Sequence, residues 1–252
     1  MDEPSVASTP EASSSAEPSP VPVAPTPTPL QTSGSDAQAL PPARVPASTQ
    51  LEYEVTGRVR GLGYTAQAQL NWTQADGRYE ARMSVRLPLL GSRVQSSAGW
   101  VHASGLRPER FADKARSERA AHFDHEQRRI RFSANTPDAE LQPGAQDRLS
   151  LFLQLAARFQ ADPASLPAGQ LIELQVAGTS TAEPWYFRVA DEESLSLPAG
   201  ELRARKLVRE TRQTRDTQVE LWLAPSLEHL PVRIRMAQDN GDQIDQQLSR
   251  LP

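Results

Sequence analysis

Three consecutive stretches of the chain alternate apolar and polar side chains with a strict period of two. That period is compatible with little besides half-buried β-strands. Leu51, Tyr53, Val55 and Val59 alternate with Glu52, Glu54, Arg58 and Arg60. Beyond the turn signal Gly61-Leu62-Gly63, Tyr64, Ala66, Ala68, Leu70 and Trp72 alternate with Thr65, Gln67, Gln69 and Asn71. Ala75-Asp76-Gly77-Arg78 is a strong hairpin signal, because Asp-Gly accepts the positive φ of a tight primed turn. Tyr79, Ala81, Met83, Val85 and Leu87 then alternate with Glu80, Arg82, Ser84 and Arg86. The pattern predicts a meander with one apolar and one wet face.

Further strands are predicted at Val94–Val101, Leu106–Asp113, Arg116–Phe123 and Arg128–Ser133, and a second series from Leu171 to Leu251. The spacing of strand plus turn is that of sandwiches and barrels. One segment departs from it. Over residues 147–161, Leu149, Phe152, Leu153, Ala156 and Phe159 recur at helical spacing, and Leu151 and Leu155 widen the stripe. Asp147 or Gln146 suits the N-cap and Asp162-Pro163 ends the helix. So wide an apolar arc calls for burial on more than one side. The fold class expected is mainly β: a curved antiparallel sheet, half-barrel or open barrel, with one packed α-helix.

Composition divides the 252 residues. Eleven of the 22 prolines fall in residues 1–50, which hold no aromatic residue and five acids against one base. That stretch reads as a disordered Pro/Ala/Ser-rich arm or spacer, spanning about 150 Å if extended as polyproline II. Residues 51–252 read as a single domain with 26 basic and 26 acidic residues. Such a balance argues against a nucleic-acid partner, which selects a basic surplus. The absence of cysteine excludes disulfides, thiolate metal sites and a cysteine nucleophile. No apolar run reaches the roughly 18–20 residues of a membrane helix.

No HExxH, GxSxG, Walker A or GxGxxG motif occurs, so neither catalytic residues nor a cofactor is expected. His122, Asp124, His125 and Glu126 are the densest group of potential metal ligands, but they fall where a polar turn belongs. No metal is expected there. The aromatic residues Trp72, Trp100, Phe152, Phe159 and Trp185 are candidates to line an apolar cavity if the sheet curves incompletely around the helix. Plain core is the competing reading. Arg203, Arg205, Arg209 and Arg212 belong to a basic run that could meet an anionic surface. Solvated strand faces are the alternative.

Several pieces in order carry a family resemblance. They are Gly105-Leu106-Arg107-Pro108, Ala121-His122-Phe123-Asp124, Gln146-Asp147-Arg148-Leu149-Ser150, and Leu221-Trp222-Leu223-Ala224-Pro225 leading to Leu230-Pro231-Val232-Arg233-Ile234. Together they resemble the bacterial envelope family known as domain of unknown function 3108, over roughly residues 50–250. The resemblance implies an exported protein with a fold similar to lipoprotein carriers of the LolA/LolB type, and it supplies no catalytic residues. It implies a periplasmic location, with an inner-membrane tether on a segment upstream of Met1. The expected role is a non-enzymatic envelope protein binding a lipid, a lipidated protein or another amphiphile. A scaffold that docks a protein or peptidoglycan through its sheet is the alternative.

Overall fold

The computed structural model describes residues 40–87 and 91–252. Most of the arm therefore lies outside the described residues. The first meander comprises β1 (Thr49–Val59), β2 (Leu62–Ala75), β3 (Arg78–Leu87), β4 (Gly91–His102), β5 (Gly105–Lys114), β6 (Glu118–Asp124), β7 (Arg129–Phe132) and β8 (Ala139–Glu140). After β9 (Gln146–Asp147) and α1 (Ser150–Ala161) comes a second meander. Its strands are β10 (Leu171–Ala177), β11 (Ala182–Leu197), β12 (Gly200–Glu210), β13 (Gln218–Ala224), β14 (Leu230–Ala237) and β15 (Gln243–Arg250).

All fifteen strands form one sheet whose order runs from β8 down to β1, crosses to β15, and runs down to β9. Among the described residues only the short β9–β10 pair is parallel. The expected turns are where their chemistry requires: Asp76 and Gly77 both have positive φ, at 51° and 73°. Four register shifts, at Glu52/Tyr53, Ala98/Gly99, Val189/Glu192 and Trp222/Leu223, interrupt the ladders. Such bulges bend and twist strands, and the sheet curls without closing into a barrel. Its two edges, β8 and β9, are separated in sequence only by residues 141–145. Gln175 of β10 laces the seam between them. Its Oε1 accepts from the Gln142 amide at 2.9 Å, and its Nε2 donates to the Glu140 carbonyl at 2.8 Å.

The helix lies inside the curl. Nine of its twelve residues are buried, as the wide arc demands. Leu149 and Leu153 join the cluster built on Leu51, Leu70, Trp72, Phe111 and Ile130. Leu151, Phe152, Leu155 and Phe159 join a second one with Phe187, Leu207, Leu221 and Ile234. Each such fully buried side chain contributes about 1.5–3 kcal/mol. Gln154 fixes the helix to β5: its Oε1 accepts from the Leu106 amide (2.7 Å) and its Nε2 donates to the Ser104 carbonyl (2.8 Å).

Helix α1 begins at Ser150, three residues later than the periodicity suggests, yet Asp147 does cap its entry. Asp147 Oδ1 accepts from the amides of Leu149 and Ser150, both at 2.8 Å, while Ser150 Oγ accepts from the Asp147 amide at 2.9 Å. This is the reciprocal logic of a capping box. Asp162 ends the helix and caps the short turn that follows.

The packed body starts earlier than the proline content implies. The Ala43 amide donates to the Ala103 carbonyl and the Arg44 amide to the Ala157 carbonyl near the helix end, at 2.9 and 2.8 Å. The indole N–H of Trp72 donates to the Pro46 carbonyl (3.0 Å), and the Ala47 amide donates to Glu228 (2.8 Å). Residues 40–48 are thus a strap over the end of the helix. Their lack of aromatics masks this, because the strap is held through its backbone.

Candidate ligand cavity

At one end of the curl a cavity of about 320 Å³ opens between the two meanders. The ends of β1, β3 and β14 and the beginnings of β2, β4 and β15 form its wall, and the entry to α1 lies beneath. Its deep part is Met83, Leu149, Phe152, Trp185 and Gln246, all buried. Tyr64, Val85, Met236 and Ile244 form a half-buried middle ring. Three guanidinium groups, Arg58, Arg93 and Arg148, stand around the opening against one carboxylate, Asp242.

Trp185 is held rigidly in this floor. Its indole N–H donates to Glu183 at 2.8 Å, and the Arg209 guanidinium stacks 3.9 Å from the ring centroid. Arg209 is itself buried, donating to the Thr217 carbonyl and pairing with Glu183 and Asp216. Arg93 is neutralised by a two-pronged pair with Asp113. Burial pushes the Asp113 carboxyl upward, but Arg93 outweighs it and holds the group below its ordinary range. Asp242 is committed to turns: its Oδ1 accepts from the Arg60 amide at 2.7 Å.

Arg148 is different. It makes no ion pair and no side-chain hydrogen bond among the described residues. Its guanidinium sits 5.9 Å from the Trp185 ring centroid and fills the space beside Gly178, where a Cβ would stand 3.1 Å from its Nε. Burial draws its pKa down, partly offset by Glu183, and Arg93 draws it down further.

Behind the helix entry lies a buried polar chain, Tyr79–Ser97–Asp147. Tyr79 and Ser97 hydroxyls meet at 2.9 Å, and Ser97 Oγ donates to Asp147 Oδ2 at 2.5 Å. Burial raises the Asp147 carboxyl to about 6, despite hydrogen bonds from Ser97, Ser150 and Leu149 that favour its charged form. It is fully enclosed and reaches no cavity.

Of the aromatic candidates, the structure brings Phe152 and Trp185 together in the cavity and leaves the others elsewhere. Trp72 is sealed in the core under the strap, 5.6 Å from Tyr79. Phe159 is buried against His229 at the far end of the helix. Trp100 lies on the outer surface, with its indole N–H on Glu109 and Arg78 above the ring at 4.2 Å. Among the basic candidates, Arg203 and Arg205 both pair with Glu192. Arg212 stacks on Tyr186 at 3.7 Å. The basic run is therefore largely matched by acids from adjoining segments.

The cluster at the β6–β7 turn does not converge. Asp124 accepts from the Gln127 amide and pairs with Arg131, while His125 bonds the Pro108 carbonyl. Among the described residues no group of three or more His, Asp or Glu is arranged to hold a metal ion. No helix among them is long and apolar enough to cross a membrane.

Fold and cavity together define an open, β-barrel-like domain wrapped around one helix, with an amphipathic pocket at its end. The chain belongs to the family of proteins of unknown function DUF3108, whose model matches residues 52–248. A β-barrel-like protein of the family DUF1849 from Brucella abortus shares the fold. It is 11% identical, with a TM-score of 0.54 over 82% of this chain and 98% of its own. Fainter likenesses carry no argument. One is to a candidate exported protein with a YmcC-like fold from Bacteroides fragilis, 11% identical, covering 83% of this chain and 99% of its own, TM-score 0.37. The other is to a candidate lipoprotein from Parabacteroides distasonis, 10% identical, covering 84% and 99%, TM-score 0.31. No curated protein matches the sequence.

Proposed function

We propose that this protein is a non-enzymatic periplasmic protein that takes a hydrophobic or amphiphilic guest into the end cavity, in the manner of a LolA/LolB-type carrier. One observation carries the reading. An open recess at the end of the curl reaches down to the buried apolar side chains Met83, Leu149, Phe152 and Trp185. Its 320 Å³ lies at the small end of the range of ligand pockets, about 300–1,000 Å³. With a water or methylene group taking on the order of 30 Å³, about ten such groups fit. That is one chain, not a two-chain lipid.

The scaffold alternative is less favoured, since strand addition needs a free edge, and beyond the two-residue outer strands β8 and β9 the β9 side leaves only the short stretch Leu171–Gln175 of β10 uncovered. Titration of the full chain with N-phenyl-1-naphthylamine, a neutral apolar fluorophore, tests the carrier reading. Saturable enhancement with one site per chain is expected, and it should vanish in Ile244→Trp, which fills the middle ring. Unsaturable enhancement, or enhancement unchanged by that substitution, refutes it.

A further inference from the structure

We infer that the guest is a single-chain anionic amphiphile whose carboxylate or phosphate head is held at the cavity mouth by Arg148, with Arg58 assisting. The inference rests on the carrier reading and adds the charge of the ligand's head and the residues that hold it.

Four observations meet here. First, most strand arginines have acids: Arg78 has Glu109, Arg110 has Glu118, Arg188 has Glu210, and Arg233 has Asp245. Against that background Arg148 and Arg58, both lining the cavity, form no ion pair among the described residues. Second, the acids that face Arg148 are already engaged. Asp113 is taken by Arg93, and Glu183 by Trp185 and Arg209. Third, Arg148 sits immediately before the first turn of α1, where the helix dipole disfavours a cation, and the acid at that entry, Asp147, is buried and turned to the Leu149 and Ser150 amides and to Ser97 rather than to Arg148. An anion bound there removes that cost. Fourth, the Leu149 and Ser150 amides are consumed by Asp147, so an arriving head group meets guanidinium rather than the helix end.

The geometry below is apolar and narrow. A charged head at Arg148 directs its chain past Tyr64, Val85 and Ile244 toward Met83 and Phe152. Guanidinium suits both head groups, because its planar fork forms charge-assisted pairs with carboxylate or phosphate oxygens.

Calorimetric titration of the full chain with four twelve-carbon probes below their micellar concentrations tests this. The probes are dodecanoate, dodecyl phosphate, neutral monododecanoylglycerol and dodecyltrimethylammonium. At least one anion should bind tenfold or more tightly than the neutral probe, and the cation should bind weakest. The tighter anion tells carboxylate from phosphate. Arg148→Gln should weaken anions about tenfold and leave monododecanoylglycerol unchanged. Arg58→Gln, on an exposed strand end, should show a smaller loss of the same kind and guards against misfolding of the first variant. If neutral and anionic probes bind alike, or Arg148→Gln weakens all equally, the head-group inference falls while the carrier reading stands. If none binds, both fall.

Discussion

Asp147 offers the sharpest quantitative test of the structure. Its carboxyl is fully buried and raised from 3.8 to about 6. A carboxyl whose folded pKa lies above its unfolded one favours the protonated state in the fold. Its stabilising contribution is complete below about pH 4 and is lost as pH rises through 6. A shift of about two units corresponds to about 3 kcal/mol. Asp147→Asn retains the oxygen that accepts from Leu149 and Ser150 and presents an amide to Ser97, without the charge. Urea unfolding of both proteins from pH 4 to 8 should therefore give stability curves that diverge. The variant should be close to wild type at pH 4 and should gain about 3 kcal/mol relative to it by pH 7. The difference between curves is the quantity to read, because other groups pull the opposite way in both proteins. Glu109, for instance, is pushed up by burial but held low by Trp100 and Arg78, so its stabilisation is lost as pH falls. A pH-independent difference, or one that favours wild type at neutral pH, would refute the burial argument.

Three further outcomes follow from the packing. Gln246 is buried with an Oε1 that has no partner; Gln246→Leu should raise stability by about 1–3 kcal/mol, read from denaturation midpoints. A Cβ at Gly99 would stand 2.2 Å from the Arg107 carbonyl oxygen at the β4–β5 bulge. Gly99→Ala should therefore destabilise by about 1–3 kcal/mol in thermal unfolding. Trp72→Phe deletes the donor to Pro46; it should cost about 1 kcal/mol and speed proteolytic cleavage within residues 40–48, followed by mass spectrometry.

Alternation and turn chemistry make the strands legible, since both are local. The buried helix is legible from the width of its stripe. The cavity is not, because whether a sheet closes depends on bulges and on how two distant meanders meet. Period two tells that Trp72 and Leu70 share a face but not that the strap seals them in. At Trp100 a large apolar residue suggests the inner face. Yet Ser97 and Gly99 point inward there, and the small groups make room for Asp147 and the Arg107 backbone. Arg148 carries a weaker signal, a cation at a helix entry where acids are preferred, directly after the Asp147 that caps it.

The pairing of β1 with β15 has a consequence for how the molecule assembles. Each meander can zip up hairpin by hairpin as it leaves the ribosome, but the joint between them unites residues such as Val55 and Gln246, nearly two hundred positions apart. Long loops close slowly. Until that final seam forms, β1 offers a long bare ladder to any extended peptide nearby. Loss of the last strand would leave such a ladder permanently on offer, at β1 and again at β14, making it a more hazardous lesion than its few buried side chains suggest.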